Sequence, residues 1–145
     1  MSQQINGAIG YVEYAYALEN HLAYTKMINA AGKTLEPTMD TFSAAAANAN
    51  FTNVKDFYLI LTNQPGEQSW PITAATYMLM RTDYPAEQNQ AVLKFLDWCL
   101  KNGQQQATAL DYVPMPPPVV AQIEASWTES FKSPNGEPLW TASLR

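Results

Sequence analysis

Apolar and polar positions divide this chain into two kinds of segment. Residues 8–14 and 72–80 are apolar almost throughout, the pattern of a strand covered on both faces. Leu22-Ala23-Tyr24-Thr25-Lys26-Met27 forms a shorter strand candidate, and Phe57-Tyr58-Leu59-Ile60-Leu61 has strand composition within an otherwise ambiguous stretch, 51–69. The first run lies almost at Met1, so few residues precede it to supply a neighbouring strand. The sequence therefore reads as one that begins inside a sheet, as a piece of a larger protein would.

The helical signals are of the other kind. Residues 14–20 predict a short helix or turn leading away from the first strand. Gly32 makes a turn, and Pro37 then opens a helix with Phe42, Ala45 and Ala46 on its apolar face, closed by Asn48 to Asn50. Pro65-Gly66 centres a turn over 63–68. The 3.6-residue period is clearest over 86–102, where Val92, Phe95, Leu96 and Cys99 line one face and Gly103 stands at the C-terminal cap position. Phe95 and Cys99 are expected to be buried there. A second stretch, 104–111, precedes the proline cluster at 114–118. A last helix, 118–131, carries Val120, Ile123, Trp127 and Phe131 at helical spacing. Ser133 to Gly136 is a turn, and the remainder to Arg145 is expected to be loosely attached. Strands alternating with helices, with a helix-rich C-terminal half, predict an α/β class.

Composition sharpens this picture in one respect. The 145 residues suffice for one domain with a real core, yet only 14% are charged against 47% hydrophobic. A free-standing soluble domain carries about a quarter charged residues, so the balance favours extensive internal interfaces. Thirteen acids and eight bases give a net charge of −5 with no basic run, which argues against a nucleic-acid partner. No apolar stretch approaches the length of a membrane span. Met1-Ser2-Gln3-Gln4 has neither the basic nor the apolar region of a signal peptide, so the sequence as written predicts a cytoplasmic chain.

Candidate chemistry is sparse. His21 is the sole histidine and Cys99 the sole cysteine, which leaves no thiol- or imidazole-rich metal site and no internal disulfide. A structural or surface role is expected for His21, and core packing for Cys99, placed near a helix C-terminus rather than in a cationic setting. Gly7-Ala8-Ile9-Gly10 precedes a strand instead of following one, so it predicts a bend and no phosphate loop. Glu13 and Tyr14 stand at the end of the first predicted strand. In open α/β sheets, that position lines the ligand crevice when the strand is parallel and buried; a satisfied interior hydrogen bond accounts for them equally. Asn50-Phe51-Thr52 matches a glycosylation sequon, and Trp70, Trp98, Trp127 and Trp140 form no cage by spacing. No nucleophile–base triad, nucleotide loop, zinc-protease motif or carboxylate pair occurs. The residues predict no enzyme, no catalytic residue and no cofactor.

Taken together, Gly7 to Ala17 (GAIGYVEYAYA), Leu22 to Lys26 (LAYTK), Leu61-Thr62-Asn63-Gln64 and Trp70-Pro71-Ile72-Thr73 resemble the C-terminal part of the periplasmic phosphate-binding proteins of bacterial phosphate ABC transporters. Val92-Leu93-Lys94-Phe95, Asp97-Trp98, Leu110-Asp111-Tyr112, Trp127 and Pro138-Leu139 continue the likeness in the same order, from Gly7 to Leu139. The resemblance implies a partial type II periplasmic-binding-protein fold, two α/β lobes flanking a cleft. Residues 1–70 would belong to the second lobe. Residues 71–145 would supply a crossing strand and helices that pack on the first.

By the same resemblance, the intact protein binds inorganic phosphate between its lobes and delivers it to an ABC permease from the periplasm. That family grips phosphate with hydroxyls, helix N-terminal N–H groups, one arginine and one acid. Its ligand motifs lie upstream of the matching segment. Arg81 and Arg145 are the only arginines here, and neither is followed by Ser-Gly-Thr. No phosphate ligand is therefore carried over, and the isolated chain is expected not to bind phosphate. The alternative is a free-standing interaction or assembly domain that reuses half of the fold; an enzyme built from dispersed carboxylates is a third reading. With strands 8–14 and 72–80 lacking neighbours, either a missing N-terminal half or a homo-oligomer is expected to cover them.

Overall fold

The computed structural model describes residues 5–52 and 54–141. Its order is helix α1 (Tyr14–Glu19), strands β1 (Met27–Ile28) and β2 (Thr34–Leu35), helix α2 (Met39–Ala47), a 3-10 turn at Lys55–Phe57, and helices α3 (Ala86–Asn102), α4 (Gln104–Ala109) and α5 (Pro117–Ser130). Among the described residues the architecture is mixed, helices with one small antiparallel sheet, and the C-terminal half is helix-rich as expected. β1 and β2 pair antiparallel with Met27 opposite Leu35.

Local chemistry accounts for most element boundaries. Thr38, one residue after Pro37, caps α2: its hydroxyl accepts from Thr41 N–H at 3.3 Å, while Thr41 Oγ1 accepts from Thr38 N–H at 3.0 Å. Thr41, Ala45 and Ala46 are buried on that helix, and Asn48 ends it. α3 begins after Pro85 and ends at Gly103, whose N–H bonds the Cys99 carbonyl. Gly32, at φ 74°, closes the β1–β2 turn with its N–H donating to the Asn29 carbonyl at 2.9 Å.

Two apolar clusters organise the described residues. Leu93, Trp127, Phe131, Leu139 and Trp140 pack together between α3, α5 and the segment after α5. Ala46, Phe51, Leu61 and Val119 form the other, between α2, the 51–61 segment and the start of α5. Ile123 touches both. Lys101 ties α3 to α5: its ammonium contacts Asp97 and lies 2.8 Å from Glu124.

Several sequence-based expectations are corrected. Neither 8–14 nor 72–80 is a strand. Both lack regular structure except where Tyr14 begins α1, and Tyr11 and Leu79 are 99% and 96% exposed. A continuous apolar run becomes a buried strand only where neighbours accept its backbone bonds, and the described residues offer none. The 22–27 strand contracts to Met27, which runs on into Ile28 as β1 and pairs with Leu35 of β2. The 57–61 run is not a strand either. Its Leu59 backbone donates to and accepts from the Tyr77 hydroxyl, at 3.2 and 2.9 Å.

α3 forms over the expected residues but is turned by about one position. It buries Asn89 and Leu93, with Ala86, Leu96 and Leu100 packed against the core, whereas Phe95 is 60% exposed and Cys99 only partly covered. Asn89 hides the buried stripe from a hydropathy reading. Its amide donates to the Thr82 and Tyr84 carbonyls, so a polar residue occupies a core position.

The segment after α5 is not loose as far as it is described. Leu139 N–H donates to the Phe131 carbonyl at 2.8 Å, Lys132 bridges Pro138, and Trp140 is 2% exposed. Residues 142–145 of that expectation, and Met1 to Gln4, lie outside the described residues.

Candidate functional site: an apolar trough beside helix α1

One concavity, about 1540 Å³, is an open trough. The 8–17 segment lines it together with residues of the 20–27 segment, residues 72–76, the end of α3 and residues 111–116. Its floor is aromatic. The Tyr14 ring stands edge-on to Phe42 at 5.3 Å and to Tyr24 at 6.1 Å, and Phe42 stands edge-on to Trp70 at 6.2 Å. Such edge-to-face pairs add stability beyond the area they bury.

Glu13 and Tyr14 both border the trough. The geometry that brings them there differs from the one expected, because no buried strand ends at them. Glu13 is exposed at the N-terminal boundary of α1 and makes no side-chain cap, and Tyr14 is the first helical residue. Partial burial raises the Tyr14 phenol pKa above its ordinary value, reinforced by the charges of Tyr24, Asp111 and Glu36. Asp111 and Tyr112 border the same trough. Nothing in the hydropathy pattern singles those two out as site residues.

The chemistry of the trough is unsuited to an inorganic anion. Among the described residues its lining includes no lysine, arginine or histidine, and its charged members are the carboxylates Glu13 and Asp111. A buried oxyanion needs converging donors to replace its water shell. Arg81 is committed elsewhere: its guanidinium forks onto Asp83, at 2.9 and 2.6 Å, lies 5.1 Å from the Tyr84 ring centre, and holds the Asp83 carboxyl below its usual range.

The helix starts offer little more. α2 closes its own first turn with Thr38 and Thr41, and α5 opens on Pro116, Pro117 and Pro118, which have no N–H to give. His21 is exposed with φ 50°, and among the described residues no group of three His, Cys, Asp or Glu side chains is placed to hold a metal. Also among the described residues, no helix is long and apolar enough to cross a membrane.

Known proteins similar to this chain include phosphate-binding proteins. It is 53% identical over 131 residues to the phosphate-binding protein PstS of Xylella fastidiosa, covering 90% of this chain and 36% of that protein. It is 45% identical over 139 residues to PstS of Pasteurella multocida, covering 94% of this chain and 40% of the relative. PstS of Haemophilus influenzae is 45% identical over 132 residues, with 90% and 39% covered. The chain thus spans less than half the length of these relatives. No protein-family model matches it.

Proposed function

We propose, on the premise that this chain is a segment of the PstS family of phosphate-binding proteins, that it is one part of a two-lobed solute receptor whose phosphate site is completed by sequence outside it. The observation that carries this reading is identity of 45 to 53% maintained across nine-tenths of the chain. In that arrangement residues 1–70 belong to the second lobe of a type II periplasmic-binding-protein fold, and residues 71–145 cross to the first lobe and pack on it. Glu13 and Tyr14 then face the cleft between the lobes. The complete receptor binds inorganic phosphate in the periplasm and passes it to an ABC permease. It performs no catalysis, and it engages neither nucleic acid nor a cofactor.

The cation-free trough and the engaged Arg81 support a further point, that the chain by itself does not bind phosphate. Calorimetric titration of the isolated chain with inorganic phosphate should release no binding heat. The same titration should yield one tight site once the chain is joined behind the non-matching portion of the Pasteurella multocida protein. A joined polypeptide that folds cooperatively yet ignores phosphate would refute the reading and favour the free-standing interaction domain.

A further inference from the structure

An asparagine followed by glycine carries a latent reaction, because the next backbone nitrogen can reach the side-chain carbonyl when no Cβ crowds it. The sequence has three such pairs, Asn6-Gly7, Asn102-Gly103 and Asn135-Gly136. The first adjoins residues outside the described ones. The structure separates the other two. Asn102 is the last residue of α3, and its amide donates to the Trp98 carbonyl at 3.3 Å. Gly103 N–H donates to the Cys99 carbonyl at 2.9 Å, and the Gly103 carbonyl accepts from Ala107 N–H at 3.0 Å, so the pair is held between α3 and α4. Space beside Gly103 is closed: a Cβ there would lie 2.6 Å from the Cys99 oxygen.

Asn135 and Gly136 stand at the tip of a turn, and both are exposed. Among the described residues the Asn135 side chain makes no hydrogen bond. A Cβ at Gly136 would meet nothing within 4 Å. The Gly136 nitrogen is held by a bond from its N–H to the Ser133 carbonyl at 2.9 Å. Opening one exposed turn bond costs far less than opening a junction of two helices. The turn also matters to packing. Ser133 N–H donates to the Glu137 carbonyl at 2.8 Å, Glu137 N–H donates to Ser133 Oγ at 3.2 Å, and Lys132 bridges Pro138. That hairpin returns Leu139 and Trp140 to the α3–α5 cluster.

We infer that Asn135 is a self-modification site, converting to aspartate and isoaspartate in the folded protein, whereas the fold protects Asn102. The Gly136 nitrogen gives its proton to solvent base and attacks Asn135 Cγ, forming a C–N bond. The Cγ–Nδ2 bond breaks, and ammonia leaves a succinimide ring. Water then opens the ring. Cleavage at Cγ yields aspartate; cleavage at the Asn135 backbone carbonyl carbon yields isoaspartate, with the main chain rerouted through Cγ. The sum is an amide and water giving a carboxylate and ammonium, with no oxidant or reductant. Isoaspartate adds a carbon to the backbone of the turn, and turn length fixes the register of a hairpin. The Ser133–Glu137 pair and the Lys132–Pro138 bridge then fall out of line, which loosens Leu139 and Trp140. None of this depends on the phosphate-binding reading.

The test incubates the folded protein in mildly alkaline buffer, beside a sample in denaturant, and follows each asparagine by peptide mass mapping. Labelling with an isoaspartyl methyltransferase counts the isoaspartate. In denaturant Asn102 and Asn135 should react at similar rates, since both precede glycine. In the folded protein Asn102 should react about tenfold or more slowly than Asn135. Asn135→Gln should stay unmodified at that position and keep the unfolding midpoint of the fresh protein. The isoaspartate form, isolated by chromatography, should unfold at a lower urea concentration than Asn135→Asp, which carries the same charge on an ordinary backbone.

Equal rates at the two sites in the folded protein would overturn the assignment, as would modification of Asn135 in denaturant alone. An isoaspartate form that shares the midpoint of Asn135→Asp would overturn the loosening of the hairpin.

Discussion

Asn29 and Ser69, forty residues apart in sequence, are joined by a buried hydrogen bond of 3.2 Å from the Asn29 amide to the Ser69 carbonyl. The same amide reaches the carbonyls of Gly66 and Glu67, and its own oxygen accepts from the N–H groups of Ala31 and Lys33. One side chain therefore closes the β1–β2 turn and latches it to the 63–70 segment. Asn29→Ala strands several buried polar groups at once and should cost about 3 kcal/mol, the upper end for such loss. Asn29→Asp should cost at least as much, because a carboxylate has no donor to offer three carbonyls. Urea unfolding midpoints check both; an unchanged Asn29→Asp midpoint would show that water replaces the latch.

The 63–70 segment that Asn29 latches depends in turn on Gly66. Its φ of 110° lies where side chains are strained, and a methyl group there would overlap the Asn48 amide. Asn48 itself donates to Ser69 Oγ at 3.1 Å. Gly66→Ala should destabilise by more than about 1 kcal/mol, with Asn48→Ala relieving part of the loss in the double variant. Additive effects in thermal unfolding would mean that the strain is purely in the backbone.

Trp127 and Trp140 meet edge to face at 5.3 Å within the α3–α5 cluster. Trp140→Ala should destabilise by about 3–5 kcal/mol, the usual cost of removing a buried aromatic. Phe95→Ala, on the open side of α3, should stay within about 0.5 kcal/mol. Denaturant titrations of the pair decide which stripe of α3 faces the core; equal losses would contradict the rotation described here.

Tyr14 gives a pH-dependent signal. Partial burial, and then the neighbouring charges of Tyr24, Asp111 and Glu36, disfavour its phenolate, so its folded pKa lies above the ordinary 10.0. A group raised in this way contributes stability fully present below pH 10, lost as the pH climbs through its folded value. Ultraviolet titration of the phenols should therefore lose a step above pH 10 on Tyr14→Phe substitution. Loss of a step at or below pH 10 would show that Tyr14 is solvated.

The sequence by itself determined the helices, their limits and the kinship. Caps and breakers act over a few residues, so Thr38 with Thr41, Gly103 after α3 and the prolines before α5 mark their boundaries with no distant partner. The order of motifs from Gly7 to Leu139 likewise pointed to the phosphate-binding family before any geometry was known, and identity to its members bears that out.

Three matters were left to the tertiary structure. Which stripe of α3 is buried depended on Asn89 finding two carbonyls in the 82–84 turn, a pairing that hydropathy cannot register. The segment ending in Trp140 was tied down by a return bond from Leu139 to Phe131, made only once α5 had formed. Residues 8–14 and 72–80 had the composition of interior strands and did not become strands, because a strand is completed by the backbone beside it. Apolar side chains can be read from a sequence; the partners for their N–H and C=O groups exist only in three dimensions.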